Sequence, residues 1–291
     1  MERRTFLKQS ITLSAGFMAM PSMAWETRRL VGLQLYTLRD VVKNDVAGTF
    51  KKIAAAGYGE LEMFGLAKDN TFFGLPVSKV ATLLKENNLL SPSGHYMPED
   101  FLFKNGNGDD VKNLCDVGHQ LNNDYIIIPS LSPDHRKNIN QYKVLAEKLN
   151  KAGEIVKAAG LQLAYHNHDF EFAAFGGQSG YDILLKDTDA NLLKMEMDIY
   201  WVVRAGYDPL KLFKEHPGRF HLWHVKDMDK KNPSKNTEIC NGSIDFKKIF
   251  KAAKLAGAKH FIMEQENNYK PDYFGSIESS SKAVEKLFKK I

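Results

Sequence analysis

The chain has 291 residues, 43% of them apolar, which allows one large α/β domain or two small ones and excludes a disordered chain. Forty lysines and arginines against 35 acids leave a formal charge of +5, scattered rather than gathered into a stripe, which argues against a nucleic-acid partner. Two cysteines, Cys115 and Cys240, form neither a disulfide framework nor a metal-ligand spacing.

Residues 1–24 read as an export signal. Arg3-Arg4 precedes Phe6-Leu7-Lys8, an apolar run covers 11–20, and Ser22-Met23-Ala24 offers a small-residue cleavage pattern. The pattern resembles a twin-arginine signal and predicts a periplasmic protein. The apolar run is too short for a permanent anchor, so the expected mature form, 25–291, carries no membrane anchoring.

From Arg29 onward short apolar runs alternate with helical periodicity. A strand at 31–37 is followed by a helix over 44–58, opened by Asn44/Asp45 and closed by Gly57. Strands at 60–64, 90–96 and 125–129 come next, then a long helix over 139–160 closed by Gly160. Strands at 161–168, 192–199 and 220–226 follow, then a helix starting at a cap-like Asp245 and ending near Gly257. A strand at 261–266 and a helix over 277–289 complete the chain. Eight strand–helix units in one domain predict a (β/α)₈ TIM barrel. The alternative, a doubly wound open sheet, normally brings a glycine-rich first turn, and GLQLYTLRD has none.

Barrel ligands gather at the C-terminal ends of the strands, where residues two apart point to the same side. Strand five ends His166-x-His168, strand six Glu196-x-Asp198, strand seven His224-x-Lys226 and strand eight Glu264-x-Glu266. Burying so many charges without a counter-ion is costly. A divalent cation bound by imidazole and carboxylate removes that cost.

The segments AYHNHDFEF, MDIYWVVRAG, HLWHVKD, NGSIDF and FIMEQEN, with VGLQLYTLRD and SGHYMP, resemble the sugar isomerase/epimerase proteins of the xylose isomerase-like barrel superfamily. The resemblance spans the chain after the signal. It implies one divalent metal ion, manganese, magnesium, cobalt or zinc, held by a Glu, an Asp, a His and a Glu on strands five to eight. Carried onto this chain, the ligands are Asp198, His224 and Glu264. The strand-five position falls on His166, a departure from the usual glutamate, with His168 as the fallback.

In such epimerases the two glutamates handle protons on opposite faces of the sugar while the metal polarises a carbonyl. With His166 as ligand, Glu264 remains as base, and His168, Glu171 or Lys226 must supply the second acid or base. The implied function is proton abstraction next to a sugar carbonyl, giving isomerisation or epimerisation. A lyase or dehydratase acting on a keto-sugar or keto-glycoside is the alternative, and a sugar-binding protein without turnover is the reading from another class. Abasic-site endonucleases share the barrel, but they build a multinuclear zinc cluster, and export and mild charge argue against that reading.

Glu62 and His95 are expected substrate contacts, and Tyr36 and Trp201 apolar walls against a sugar ring. Arg204 is expected to pair with an acid such as Asp208, and Asp245 to cap a helix. Lys226 is expected to stabilise an oxyanion, with neutralisation of Asp227 or Glu196 as its structural alternative. The expected partner is a small sugar or keto-sugar, and barrel relatives leave a homo-oligomer open.

Overall fold

The computed structural model describes residues 29–289, so the predicted signal lies outside the described residues. Eight parallel strands form the centre: β1 (Val31–Gln34), β2 (Glu60–Glu62), β3 (Ser93–His95), β4 (Tyr125–Ile128), β5 (Gln162–His166), β6 (Leu193–Asp198), β7 (Leu222–Val225) and β8 (His260–Met263). Their order is β2-β1-β8-β7-β6-β5-β4-β3. The remaining seam closes through parallel bridges Glu60–Leu90 and Met63–Gly94. There the His95 N–H donates to the Met63 carbonyl at 2.7 Å. The expected barrel is found, with β5 to β8 as successive neighbours.

The strands are shorter than the apolar runs that announce them. β1 stops at Gln34 because the Gln34 side chain accepts from the Tyr36 N–H and opens a 3₁₀ turn over Leu35–Leu38. β8 stops at Met263, so Glu264 and Glu266 stand on the loop that leaves it.

Outside the strands lie α1 (Val46–Ala55), α2 (Val77–Glu86), α3 (Asp109–Leu121), α4 (Ile139–Ala158), α5 (Gly180–Asp187), α6 (Pro209–Glu215), α7 (Phe246–Phe250), α8 (Ala253–Ala256) and α9 (Tyr273–Phe288). Side-chain caps set their starts, because the first N–H groups of a helix lack internal partners. Asp45 caps α1, Asn138 caps α4, and Ser179 with Asp182 forms a reciprocal capping box on α5. Asp245 accepts from the Lys248 N–H, so it is the cap the sequence announces. The helix expected over this stretch is divided into α7 and α8, and α9 starts earlier than expected, at the Asp272 cap.

Two apolar bodies result. The larger fills the space between strands and helices, with Trp223 stacked on Phe213 (centroids 5.0 Å apart) at its middle. The smaller lies inside the barrel and consists of Tyr125, Ile127, Ala164, Leu222 and Ile262. Strand alternation places the chemistry directly above this plug: two residues on from Ala164, Leu222 and Ile262 stand His166, His224 and Glu264. At its lower edge the Tyr125 hydroxyl meets His221 at 3.0 Å, and His260 meets Glu60 at 3.0 Å.

Close packing exposes one glycine to test. A Cβ on Gly180 would lie 2.3 Å from the ring of Tyr142, which is fully buried in α4. Gly180→Ala is expected to cost about 1–3 kcal/mol, as overpacked cores do. Chemical denaturation of variant and parent measures the difference, and an unchanged midpoint would contradict this packing.

Candidate metal centre

Two groups of ligand-type side chains meet at the C-terminal end of the barrel and share His224. One is His166, Asp198, His224 and Glu264; the other is Glu62, His95, Glu196 and His224. In each, the four donor atoms lie within 4.8 Å of one another.

Distances separate their roles. In the second group His95 Nε2 lies 3.1 Å from Glu62 and 2.8 Å from Glu196. His224 Nε2 lies 2.8 Å from Glu62 and 3.3 Å from Glu196. Most of these are hydrogen-bond lengths, and they close a ring of alternating imidazoles and carboxylates. Glu62 also accepts from Gln34 Nε2 at 2.6 Å and from the Ser93 hydroxyl. Burial disfavours its charge, but His95 and His224 outweigh that and hold Glu62 well below the usual carboxylate range. His95 loses by burial and gains more from Glu62 and Glu196, which push it up to about 9.

In the first group the spacings are longer. His166 Nε2 to Asp198 is 3.6 Å, His224 Nδ1 to Glu264 is 3.2 Å, and His224 Nδ1 to Asp198 is 4.0 Å. Four donors each at 2.0–2.2 Å from one tetrahedral ion stand roughly 3.3–3.6 Å apart. The tautomers agree. His166 Nδ1 lies 2.9 Å from the Pro129 carbonyl, to which it donates, and its Nε2 is buried without a hydrogen-bond partner. That leaves a lone pair aimed into the group. His224 donates Nε2–H to Glu62, and its Nδ1 faces Glu264 at 3.2 Å. Burial opposes its charge, but Glu196 and Glu264 raise the imidazole well above its ordinary value, so Nδ1 is available to an ion that displaces its proton. The residues therefore fit a divalent ion, and His166 rather than His168 stands among them.

Lys226 is fully buried above this group. Its ammonium lies 3.0 Å from Glu264 and 3.5 Å from Asp198, and it also contacts Glu266. Its partners are thus neither Asp227 nor Glu196. Burial would lower its pKa, but Glu264, Asp198 and Glu266 raise it, so the amine stays protonated. The same ammonium, with His224, keeps Glu264 well below the usual carboxylate range against the effect of burial.

The other expected site residues divide. Trp201 stands at the mouth, its ring 5.5 Å from that of His168 and 5.2 Å from the Lys226 ammonium, with Nε1 buried and without a hydrogen-bond partner. His168 is pushed down to about 2 by burial and by His166, so it is a neutral imidazole whose buried Nδ1 lacks a partner. Tyr36 is an exposed rim residue, edge-on to Phe64 at 5.1 Å. His95 keeps a partly exposed ring beside a cavity.

Three expectations need correction. Glu62 is not placed to meet a substrate, because it is fully buried and its two oxygens already serve four donors. Glu171 is not in the mouth. It accepts from the Tyr165 hydroxyl and the His168 N–H, both at 2.8 Å, on the side of β5 opposite His166. Arg204 lies 3.7 Å from Asp169 and donates to the Tyr200 hydroxyl, so Asp208 is not its partner. Sequence reasoning gave no role to Gln34 or Ser93, which donate to Glu62, and saw Glu196 only as a strand-end acid and a partner for Lys226, whereas it contacts His95 and His224. It named Glu266 in the strand-eight pair without giving it a site role; its carboxylate is raised by burial, reaches Lys226 and keeps 29% exposure. The Glu264-x-Glu266 alternation was the available signal.

Glu171 supports a stability prediction of its own. Burial pushes its carboxyl up to about 7, so the folded protein keeps a proton that the unfolded chain releases near the ordinary carboxylate value. The stabilisation is complete below about pH 4.5 and is lost as pH rises through about 7. Glu171→Gln is therefore expected to gain stability relative to the parent between pH 5 and 8, which melting curves at matched ionic strength measure. A difference independent of pH would contradict the assignment.

The family profile described as xylose isomerase-like TIM barrel matches residues 50–287. An inosose dehydratase of Clostridium perfringens is 29% identical over 165 residues, covering 51% of this chain and 54% of that protein. The chain thus spans about half the length of the curated relatives it matches. A sugar phosphate isomerase/epimerase from Parabacteroides distasonis superposes with a TM-score of 0.79 at 28% identity, over 90% of this chain and 95% of that one. A barrel protein of Mycobacterium smegmatis, solved in complex with magnesium, superposes at 0.65 with 14% identity, over 89% and 96%.

Proposed function

Because the chain belongs to the xylose isomerase-like TIM barrel family, we propose that it is a divalent-metal-dependent enzyme that removes a proton next to the carbonyl of a small sugar and returns it to isomerise or epimerise the substrate. The observation that carries this reading is the convergence of His166, Asp198, His224 and Glu264, with a buried lone pair on His166 that nothing else uses. The bound ion would polarise the carbonyl and steady the negative charge that develops on its oxygen. Manganese, magnesium, cobalt and zinc all suit this mixed nitrogen and oxygen set.

The chain's own groups divide the remaining work. Glu264, the expected base, is buried among the ligands, so Glu266, the carboxylate at this centre with the most exposure, takes the proton from the carbon. It returns the proton on the same face to the neighbouring carbon for isomerisation, while epimerisation draws its opposite-face proton from solvent. Lys226 offsets the charge on Glu266 and Glu264. Lys226 stays protonated, so it acts as a positive partner for developing oxygen charge and not as a base. His168 and Trp201 each offer an unpaired ring nitrogen to sugar hydroxyls, and the Trp201 face shields Lys226 from water. Glu62, His95 and Glu196 hold His224 in its ligating tautomer.

Elimination from a keto-sugar is the second reading. The inosose dehydratase relatives and the histidine in place of a strand-five glutamate favour it, since elimination needs one base and not an opposed pair. The export pattern at 1–24 supports a periplasmic location, where unphosphorylated sugars are the fitting substrates. Incubation of the manganese-loaded protein with ketohexoses in deuterium oxide tests the proposal. Deuterium next to the carbonyl, read by mass spectrometry, is the expected result, and a protein that binds sugar without ever incorporating label would be a binder only.

A further inference from the structure

A cavity of about 520 Å³ opens beside the metal centre, between the loop that follows β2 and the one that follows β3. Two residues of its lining touch the centre directly. His95 bonds to Glu62 and Glu196, and the Pro129 carbonyl holds His166. At about 30 Å³ of liquid per water it has room for roughly 17 waters, and it falls within the range of about 300–1,000 Å³ usual for small-molecule sites. A reacting sugar ring over the four ligands would leave this space empty.

The walls are fixed in advance. Asn70 and Asn113 exchange two amide hydrogen bonds of 2.8 and 2.9 Å, which tie the β2 loop to α3. Asp110 accepts the N–H groups of Asp100 and Phe101, both at 3.0 Å, and so pins the short helix Glu99–Phe103. A cleft held open by such bonds does not spend binding energy on ordering. The lining is polar but has no surplus of positive charge, since Lys68 and Lys104 share it with Glu99, Asp100 and Asp110. Lys104 is moreover engaged by Asp100 at 3.0 Å. Such a surface suits a neutral, hydroxyl-rich group and disfavours a phosphate.

We propose that this cleft is a second-ring subsite, so that the substrate is a glycoside or disaccharide whose reacting ring lies over the metal centre and whose neighbouring ring lies beyond His95. The inference rests on the catalytic reading above for the position of the reacting ring. Isothermal titration of the manganese-loaded protein with D-fructose and with lactulose, maltulose and isomaltulose tests it. All three carry a second ring on the same ketose, lactulose and maltulose on its 4-hydroxyl with opposite anomeric configuration and isomaltulose on its 6-hydroxyl.

At least one of the three is expected to bind tenfold or more tighter than fructose. In Ala67→Trp, where an exposed wall residue fills the cleft, that ratio is expected to fall to near one. If no disaccharide binds tighter than fructose, or if Ala67→Trp leaves the advantage intact while melting like the parent, the subsite is refuted. Deuterium incorporation into fructose alone reports on the catalytic reading. Absent incorporation with a preserved disaccharide advantage would therefore sink that reading and leave the subsite standing.

Discussion

Lys226→Met is expected to lower the melting temperature of the metal-free protein by roughly 6–20 °C. The ammonium is fully buried and touches Asp198, Glu264 and Glu266. Removing one partner of a buried ion group costs about 3–5 kcal/mol, because the opposite charges stay behind without water. A domain of this size loses about 2–4 °C per kcal/mol. Methionine fills a similar volume, so the loss reports charge and not a cavity. A divalent ion neutralises the same carboxylates, so the deficit should shrink when manganese replaces chelator. Calorimetry with EDTA and with manganese measures both values, and equal deficits in the two would mean that Lys226 and the ion do not share partners.

Asp198→Asn is expected to lose retained metal and, with the ion, to slow α-proton exchange by about 10²–10³, the scale of losing one stabiliser of a developing oxyanion. Asparagine keeps the structural duty of this residue. Asp198 Oδ1 accepts from the Trp201 N–H and caps the short helix Ile199–Arg204, and an amide oxygen can do the same. What is lost is the charge on Oδ2, which faces both His166 and Lys226. Metal content after gel filtration, read by mass spectrometry, should drop from one ion per chain to a small fraction. Full metal retention would remove Asp198 from the ligand set.

Much of the fold was legible because most strands lie within apolar runs and α1, α4 and α8 close at Gly57, Gly160 and Gly257. The alternation His224-x-Lys226 or Glu264-x-Glu266 also survives translation into three dimensions, since both partners stay on the inner side even where the strand ends. The errors came from contacts between distant segments. Nothing around Glu62 says that Gln34, Ser93, His95 and His224 converge on it, because they come from three other strands, β1, β3 and β7. Glu171 misled for a different reason. The chain turns after His166, and the turn carries Glu171 behind the strand to Tyr165, a reversal that a count of residues from the nearest histidine cannot reveal.

The plug of Ile127, Ala164, Leu222 and Ile262 makes the barrel a vessel with a single door. Water, hydroxide and buffer meet a packed floor at Tyr125 and His221, so whatever enters or leaves the reaction uses the upper end, past Trp201, His168 and Glu266 or through the cleft beside His95. Once a sugar fills that opening, the proton it surrenders exchanges with solvent more slowly. A deuterium placed beforehand next to the substrate carbonyl should therefore reappear in part on the same molecule after turnover, even in ordinary water. The fraction carried over measures how well the sugar acts as its own stopper.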